Sequence, residues 1–435
     1  MRKITQTAAI LLFCLSTFAA QPAGAYSVQT HEQLIDLTWR AHIVPLLEKR
    51  FPGITPTQIQ EAHSYAYGGA AVQDLGYYPF GNSFFSDLTH YVRSGDFVDA
   101  LLRNAHTPDE LAFAIGALSH YLGDSIGHSK ATNLAVGSEF PDLAHKYGPS
   151  VSYEENPHSH VRTEFAFDIN EIAKDRFAPR RYLDHVGLNV STDLLARAFY
   201  LTYGLDLTKN VRVERKNLYG YRFSVRRFLP RIADAEDILH KHRFPDDPAH
   251  GTDPDFDKLQ ADLLQADTDN QWDQWRGHPG IFTYALAGLI FISPRVGPLA
   301  MFAIRGPNQF TEALYVKSVN DTTERLRLEL LHLRTPPPAV GPPPTRQTVF
   351  LNLDLDTGVR VRPGSYRLTD QTYAKLLHTL TKEPGRLVPV GLKEDLQTFY
   401  SDPAGLNTTR RKPRVWAQVQ VDLATLRTMS TTPQP

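Results

Sequence analysis

The segment from Thr107 to His128 is apolar on every side of a helix, yet it carries three metal-type donors. At about 100° per residue, Leu111, Ile115, Leu118 and Leu122 share one narrow sector. Phe113, Ala117 and Tyr121 lie opposite, together with His120, Asp124 and His128. A helix that is apolar all round is a buried one. A buried imidazole and carboxylate need a compensating partner, because an isolated buried carboxylate is strongly destabilising. The i, i+4, i+8 spacing turns all three side chains the same way, which suits a metal ion. For His120 and Asp124 alone, a His–Asp hydrogen bond inside the core fits as well.

A second helical pair follows in His160-Val-Arg-Thr-Glu164, again an imidazole and a carboxylate one turn apart. Upstream, Asp74 sits in the glycine-rich stretch Gly68 to Gly76, and His90 follows in Asp87-Leu-Thr-His90-Tyr91. Each alone reads equally as a capping aspartate or a surface histidine. Their order carries the information, and ten of the seventeen histidines fall between His31 and His160.

Arg2 and Lys3 precede an uncharged apolar run, Ala8 to Ala20, that ends in Ala23-Gly24-Ala25, so residues 1–25 read as a cleaved signal peptide and the mature chain as secreted or periplasmic. The run is short for a membrane anchor. Cys14, the one cysteine, lies inside it, which leaves the mature chain no disulfide. Taking Arg2 and Lys3 from the 46 basic residues leaves 44 against 47 acidic ones. A surface made for duplex DNA, which depends on many Lys and Arg contacts to phosphate, is excluded.

The proline-rich stretch 336–345 reads as an extended linker between a helical domain, 26–335, and a small α+β domain, 346–435. Thr30-x-x-Gln33 and Thr107-Pro108-Asp109-Glu110 have the form of capping boxes. Beyond the linker, Thr348 to Leu355 alternates, Asp356-Thr357-Gly358 makes a turn, and Val359 to Val361 continues as a partner strand. The alternation of Val415 to Val421 predicts another strand. Asp356-Thr357-Gly358 copies an aspartic-protease triplet, but it occurs once and in a turn. Ile281 to Ile292, followed by Pro294, Arg295, Gly297 and Pro298, is too short to span a bilayer; it reads as a buried helix, with a lipid-touching surface as the sharper alternative. Tyr77, Tyr78, Phe80, Phe84 and Phe85 read as core or rim residues.

The ordered set of mature N-terminus, His31, Asp74, His90, His120-x-x-x-Asp124, His128 and His160-x-x-x-Glu164 resembles the superfamily of bacterial zinc-dependent phospholipases C and single-strand nucleases. The resemblance implies a mainly α, multi-helix domain with about three zinc ions. It implies one ion on Asp74, His90, His120 and Asp124, and another on His128, His160 and Glu164. Asp124 would bridge to a third, held by His31 and by the α-amino group and carbonyl of Tyr26, where the family usually begins with tryptophan. His128 follows Asp124 by four residues, a shorter interval than is common there; Gly127 offers local adjustment, and His158 is the alternative ligand.

Neutral imidazoles and carboxylates are the ligands zinc takes when thiolate is absent. Clustered divalent ions generate hydroxide near neutral pH and neutralise a phosphodiester's charge. Asp74 and Asp124 are the residues expected to orient the attacking water. The expected function is metal-dependent phosphodiester hydrolysis of phospholipase C type, on a phospholipid and with membrane-surface contact. A single-strand nuclease and a non-catalytic zinc-binding surface protein are the alternatives.

Overall fold

Helices make up most of the structure, as the mainly α reading expects. The computed structural model describes residues 26–240, 244–268, 272–277, 280–292, 306–334, 350–401 and 410–432. The expected signal peptide with Cys14, the linker 336–345, the breakers Pro294 to Pro298 and residues 346–349 lie outside the described residues. In chain order the helices are α1 Val28–Thr38, α2 Val44–Arg50, α3 Pro56–Ala70, α4 Ser83–Tyr91, α5 Ser94–Arg103, α6 Pro108–Gly127, α7 Asn133–Glu139, α8 Pro141–Tyr147, α9 Pro157–Ala173 and α10 Arg180–Val186. They continue with α11 Thr192–Tyr203, α12 Arg215–Phe223, α13 Leu229–His240, α14 Pro254–Ala266, α15 Ile281–Ile292, α16 Gln309–Arg334, α17 Arg367–Thr381, α18 Val390–Ser401 and α19 Pro413–Thr428.

The α6 helix runs through the centre, buried from Leu111 to Ser125. Thr107 caps it by accepting from the Glu110 amide, and Pro108 takes the first turn, where no amide hydrogen is needed. Its closest neighbour is α3. A Cβ on Gly69 would lie 2.0 Å from the Phe113 carbonyl oxygen, and one on Gly116 would lie 2.2 Å from that of Ala66. The two helices therefore cross backbone against backbone. This crossing accounts for Gly69 ahead of Asp74, while Gly68 faces the Asn189 carbonyl instead.

At α1 the expected cap is replaced. The helix begins at Val28, two residues before Thr30, and Ser27 at its N-cap makes no side-chain cap bond. Asp168, from α9, caps it instead: the amides of Gln29 and Thr30 and the Thr30 hydroxyl all donate to its carboxylate. Thr30 and Gln33 are thus helical rather than a capping box. A carboxylate distant in sequence satisfies the first-turn amides better than a threonine already inside the turn.

After the linker, β1 (Leu353–Asp354) pairs antiparallel with β2 (Val359–Arg360) across the expected Asp356-Thr357-Gly358 turn. The segment Val415 to Val421 is not a strand but part of α19. Pro413 opens that helix, and Val419, Leu423 and Leu426 are buried at helical spacing while Val421 is 60% exposed. Phe350, Leu355 and Leu376 join the same apolar core as α1, α3 and α6.

A smaller apolar cluster links α9, α13 and α15 through Phe165, Ile169, Ile232, Ala233, Ala287 and Ile290. Only the inner side of α15 is buried there. Its outer side leaves Ile281 80%, Tyr284 56% and Phe291 68% exposed, so the expectation of a buried helix holds for one face alone. No helix of the described residues is long and apolar enough to cross a membrane.

The close crossing makes a direct prediction. Gly116→Val forces a side chain against the Ala66 carbonyl and is expected to destabilise by at least about 1–3 kcal/mol. Gly288→Ala on α15, where a Cβ meets nothing within 4 Å, is expected to be neutral or to stabilise by up to about 1 kcal/mol through helix propensity. Urea unfolding followed by circular dichroism checks both, and equal midpoints for Gly116→Val and the parent chain would contradict the crossing.

Candidate metal centre

Where α6 leaves the α3 crossing, His120 Nδ1 lies 2.9 Å from the Ala70 carbonyl oxygen. That nitrogen must donate, so in the neutral ring Nε2 turns a lone pair inward. His90, in the last turn of α4, repeats the device, with Nδ1 2.8 Å from the Ser86 carbonyl oxygen. The two Nε2 atoms face each other at 3.5 Å.

Asp124 lies between them, one helical turn beyond His120. Its Oδ2 is 3.1 Å from His120 Nε2 and 3.3 Å from His90 Nε2, and its Oδ1 is 3.3 Å from His31 Nε2. Asp74, on the 3-10 turn Gln73–Tyr77 that follows α3, brings Oδ1 to 3.4 Å from His90 Nε2. His31, on α1, stacks on His120 with centroids 4.2 Å apart. All five side chains are buried. Burial alone would push Asp124 up, but His120, His31 and His90 hold it well below the usual carboxylate range. Burial likewise pulls His90 down, and the Asp124 and Asp74 carboxylates reverse this, holding it well above its ordinary value.

A second group lies at the far end of α6. A wide turn, His128–Thr132, follows the helix and re-registers the chain at His128. Gly127, expected to adjust the backbone, is ordinarily helical at φ −62°. Its role is space: a Cβ there would fall 2.5 Å from the Tyr26 ring. On α9, His160 Nδ1 is 2.6 Å from Glu164 Oε1, and His128 Nε2 is 3.7 Å from that oxygen. Burial pushes Glu164 well up, and burial with His128 alongside pushes His160 well down, so without a cation the pair loses its charges.

Three sets of donor atoms each lie within 4.8 Å of one another: His31, His120 and Asp124; Asp74, His90 and His120; and His128, His160 and Glu164. Both nitrogens of His31, Asp74 Oδ1, His128 Nε2 and Glu164 Oε2 are buried without a hydrogen-bond partner. Buried imidazole nitrogens and carboxylate oxygens converging in this way are a donor set that fits divalent cations, and these are three buried groups that can hold metal ions. His158, the alternative ligand, is exposed on the opposite side of α9 from His160 and joins none of them. Tyr26 stands beside the first set, its ring 5.8 Å from that of His31 and its hydroxyl 2.6 Å from Ser318 Oγ.

Sequence reasoning missed three contributors. Asp168 shares the His160 and Glu164 spacing on α9 and was legible as the next i+4 carboxylate. Asn133, whose Oδ1 is 2.8 Å from His160 Nε2, and the Leu355 carbonyl, 2.7 Å from His128 Nδ1, were not, since neither an isolated asparagine nor a backbone oxygen leaves a pattern. Of the five aromatics between Asp74 and His90, four are buried, and Phe80 is 65% exposed.

Residues 30–209 match the family model described as zinc dependent phospholipase C. That stretch contains every candidate ligand named here except Tyr26, and it bears out the resemblance. No curated protein and no solved structure matches the chain.

Since Asp124 touches three imidazoles drawn from two of the sets, Asp124→Asn is expected to release more than one metal ion. The exposed Asp193→Asn should release none. Elemental analysis of zinc-supplied protein measures this; full metal content in Asp124→Asn would contradict a shared carboxylate.

Proposed function

We propose, from the premise that residues 30–209 are a segment of the zinc-dependent phospholipase C family, that the chain is an exported phosphodiesterase hydrolysing a phospholipid to a diacylglycerol and a phosphorylated head group. The observation that carries the reading is the convergence of three buried His, Asp and Glu groups around one helix. Asp74, His90 and His120 with Asp124 would hold one zinc, His31 with Asp124 a second, since His120 has only Nε2 free, and His128, His160 and Glu164 a third. Bound there, zinc supplies an acidified water and positive charge for the phosphodiester in its transition state. Asp74 and Asp124 accept hydrogen bonds from the attacking water and set its direction. The Ala70, Ser86 and Leu355 carbonyls hold the rings of His120, His90 and His128 in one tautomer, so the lone pairs need no reorientation during turnover. Water attacks phosphorus, the diacylglycerol oxygen leaves with a proton, and no side chain forms a covalent bond.

Three features support a phospholipid over a single-stranded nucleic acid. The α15 helix has no charged residue and turns Ile281, Tyr284 and Phe291 outward, a face suited to the lipid boundary. Its inner face reaches α9, the helix of His160 and Glu164, through the smaller apolar cluster. The mature chain also lacks the basic excess of a nucleic-acid surface. The export reading rests on Arg2, Lys3 and the run ending in Ala25. Zinc-loaded mature protein is expected to release a phosphorylated head group from phospholipid vesicles and to leave single-stranded DNA intact, assayed side by side. DNA cleavage without lipid cleavage would select the nuclease reading.

The α-amino group and carbonyl of Tyr26 complete the His31 site in this reading. Tyr26 is packed beside His31, and the Asp168 cap fixes the start of α1 two residues on. An α-amine has a reference pKa of about 7.7–8.0, so its proton is readily displaced near neutral pH. A chain beginning at Tyr26 is compared with one carrying an added Met, which shifts the amine by roughly 3.5 Å and leaves a poorly donating amide. The extended form is expected to bind one fewer zinc and lose most activity; equal zinc content and turnover would remove the terminal ligand.

A further inference from the structure

The Asp356-Thr357-Gly358 turn does more than close a hairpin. It lies beyond the segment matched to the family, yet two consecutive backbone carbonyls reach from it into the His128, His160 and Glu164 group. His128 Nδ1 lies 2.7 Å from the Leu355 carbonyl oxygen. The next carbonyl, that of Asp356, accepts from Asn133 Nδ2 at 2.9 Å, and Asn133 Oδ1 is 2.8 Å from His160 Nε2.

Each contact decides which ring nitrogen carries the proton. Donation from His128 Nδ1 leaves its Nε2 lone pair free toward Glu164. Donation from His160 Nε2 leaves Nδ1 free, 2.6 Å from the same carboxylate. From this geometry we infer that the hairpin Leu353–Arg360, acting directly on His128 and through the positioning residue Asn133 on His160, orients both imidazoles of this group for a divalent cation. The inference rests on the reading that the group holds an ion.

The hairpin is fixed to α4 and α6, which carry His90, His120 and Asp124, and to Ser94 and Tyr366 beside them. The Leu355 amide donates to the His90 carbonyl at 3.2 Å, and Ser94 Oγ donates to the Leu353 carbonyl at 2.6 Å. Asp356 Oδ2 accepts from the Tyr91 hydroxyl at 2.9 Å and the Tyr366 hydroxyl at 2.6 Å. Gly358 has φ +66°, and a Cβ there would fall 2.3 Å from the Ser125 carbonyl oxygen on α6. Only glycine fits that combination of backbone conformation and close approach. The hairpin therefore cannot shift without disturbing α4 or α6.

Partners that hold the second nitrogen of a metal-bound histidine typically contribute 10–100-fold to metal affinity. The test titrates the metal-stripped, full mature chain with zinc alone against a competing chromophoric chelator. Asn133→Leu cuts the tether at the histidine end, and Gly358→Val displaces it at the hairpin end. Asn133→Leu is expected to weaken one site by about 10–100-fold and leave the others as in the parent chain; Gly358→Val is expected to weaken that site too while also disturbing the ligands on α4 and α6, and the exposed Asp193→Asn should change none. A merely structural role would lower the unfolding temperature without singling out one site. If Gly358→Val does not fold, Asn133→Leu alone decides. Parental affinity at every site in Asn133→Leu overturns the inference and spares the proposed function, whereas a parent chain that never fills this third site overturns both.

Discussion

The Asp124 carboxylate, wholly buried and facing the imidazoles of His31, His90 and His120, is the contact around which the molecule is arranged. A lone carboxylate at that depth would be neutral or destabilising. Three separate elements must supply its neighbours: α1 gives His31, α4 gives His90, and α6 gives His120. Their convergence fixes how α1, α3, α4 and α6 can pack. It also explains why α3 and α6 touch backbone to backbone at Gly69 and Gly116. A larger side chain at either point would move the Ala70 carbonyl away from His120 and Asp74 away from His90.

The α9 helix carries a second arrangement of the same kind. His160 and Glu164 face the far end of α6, and one turn further Asp168 takes the amides that open α1. One helix thus holds ligand-type residues for one group and anchors the segment that brings Tyr26 and His31 to another. Its other side packs on α13, and through it on α15, whose outer apolar face meets solvent. The metal-type groups and the candidate lipid face are therefore linked by a short, continuous run of packed side chains.

Much of the site was legible because its residues recur at helical spacing. His120 with Asp124, and His160 with Glu164, announce themselves as pairs one turn apart on segments too apolar to be exposed. Asp74 and His90 acquire meaning from their order relative to those pairs. The capping at Thr107 and the turn at Asp356 to Gly358 could be read because each depends on neighbouring residues alone. The strand expected at Val415 to Val421 failed for the converse reason. Its apolar residues satisfy a period of two and also, with Leu423 and Leu426, a helical period; Pro413 and packing against α17 settle it as helix.

The sequence alone determined the donor chemistry, the helical class and the grouping of ligands into pairs, since these follow from side-chain type and local period. Tertiary structure decided what no local pattern encodes. It selected Asp168 over Thr30 as the cap of α1, put His158 in solvent while His160 is buried, and exposed half of α15. It also aimed two carbonyls of a hairpin at His128 and Asn133. Backbone amides and carbonyls are the same at every position, so which of them meets a given imidazole depends on where distant segments pack.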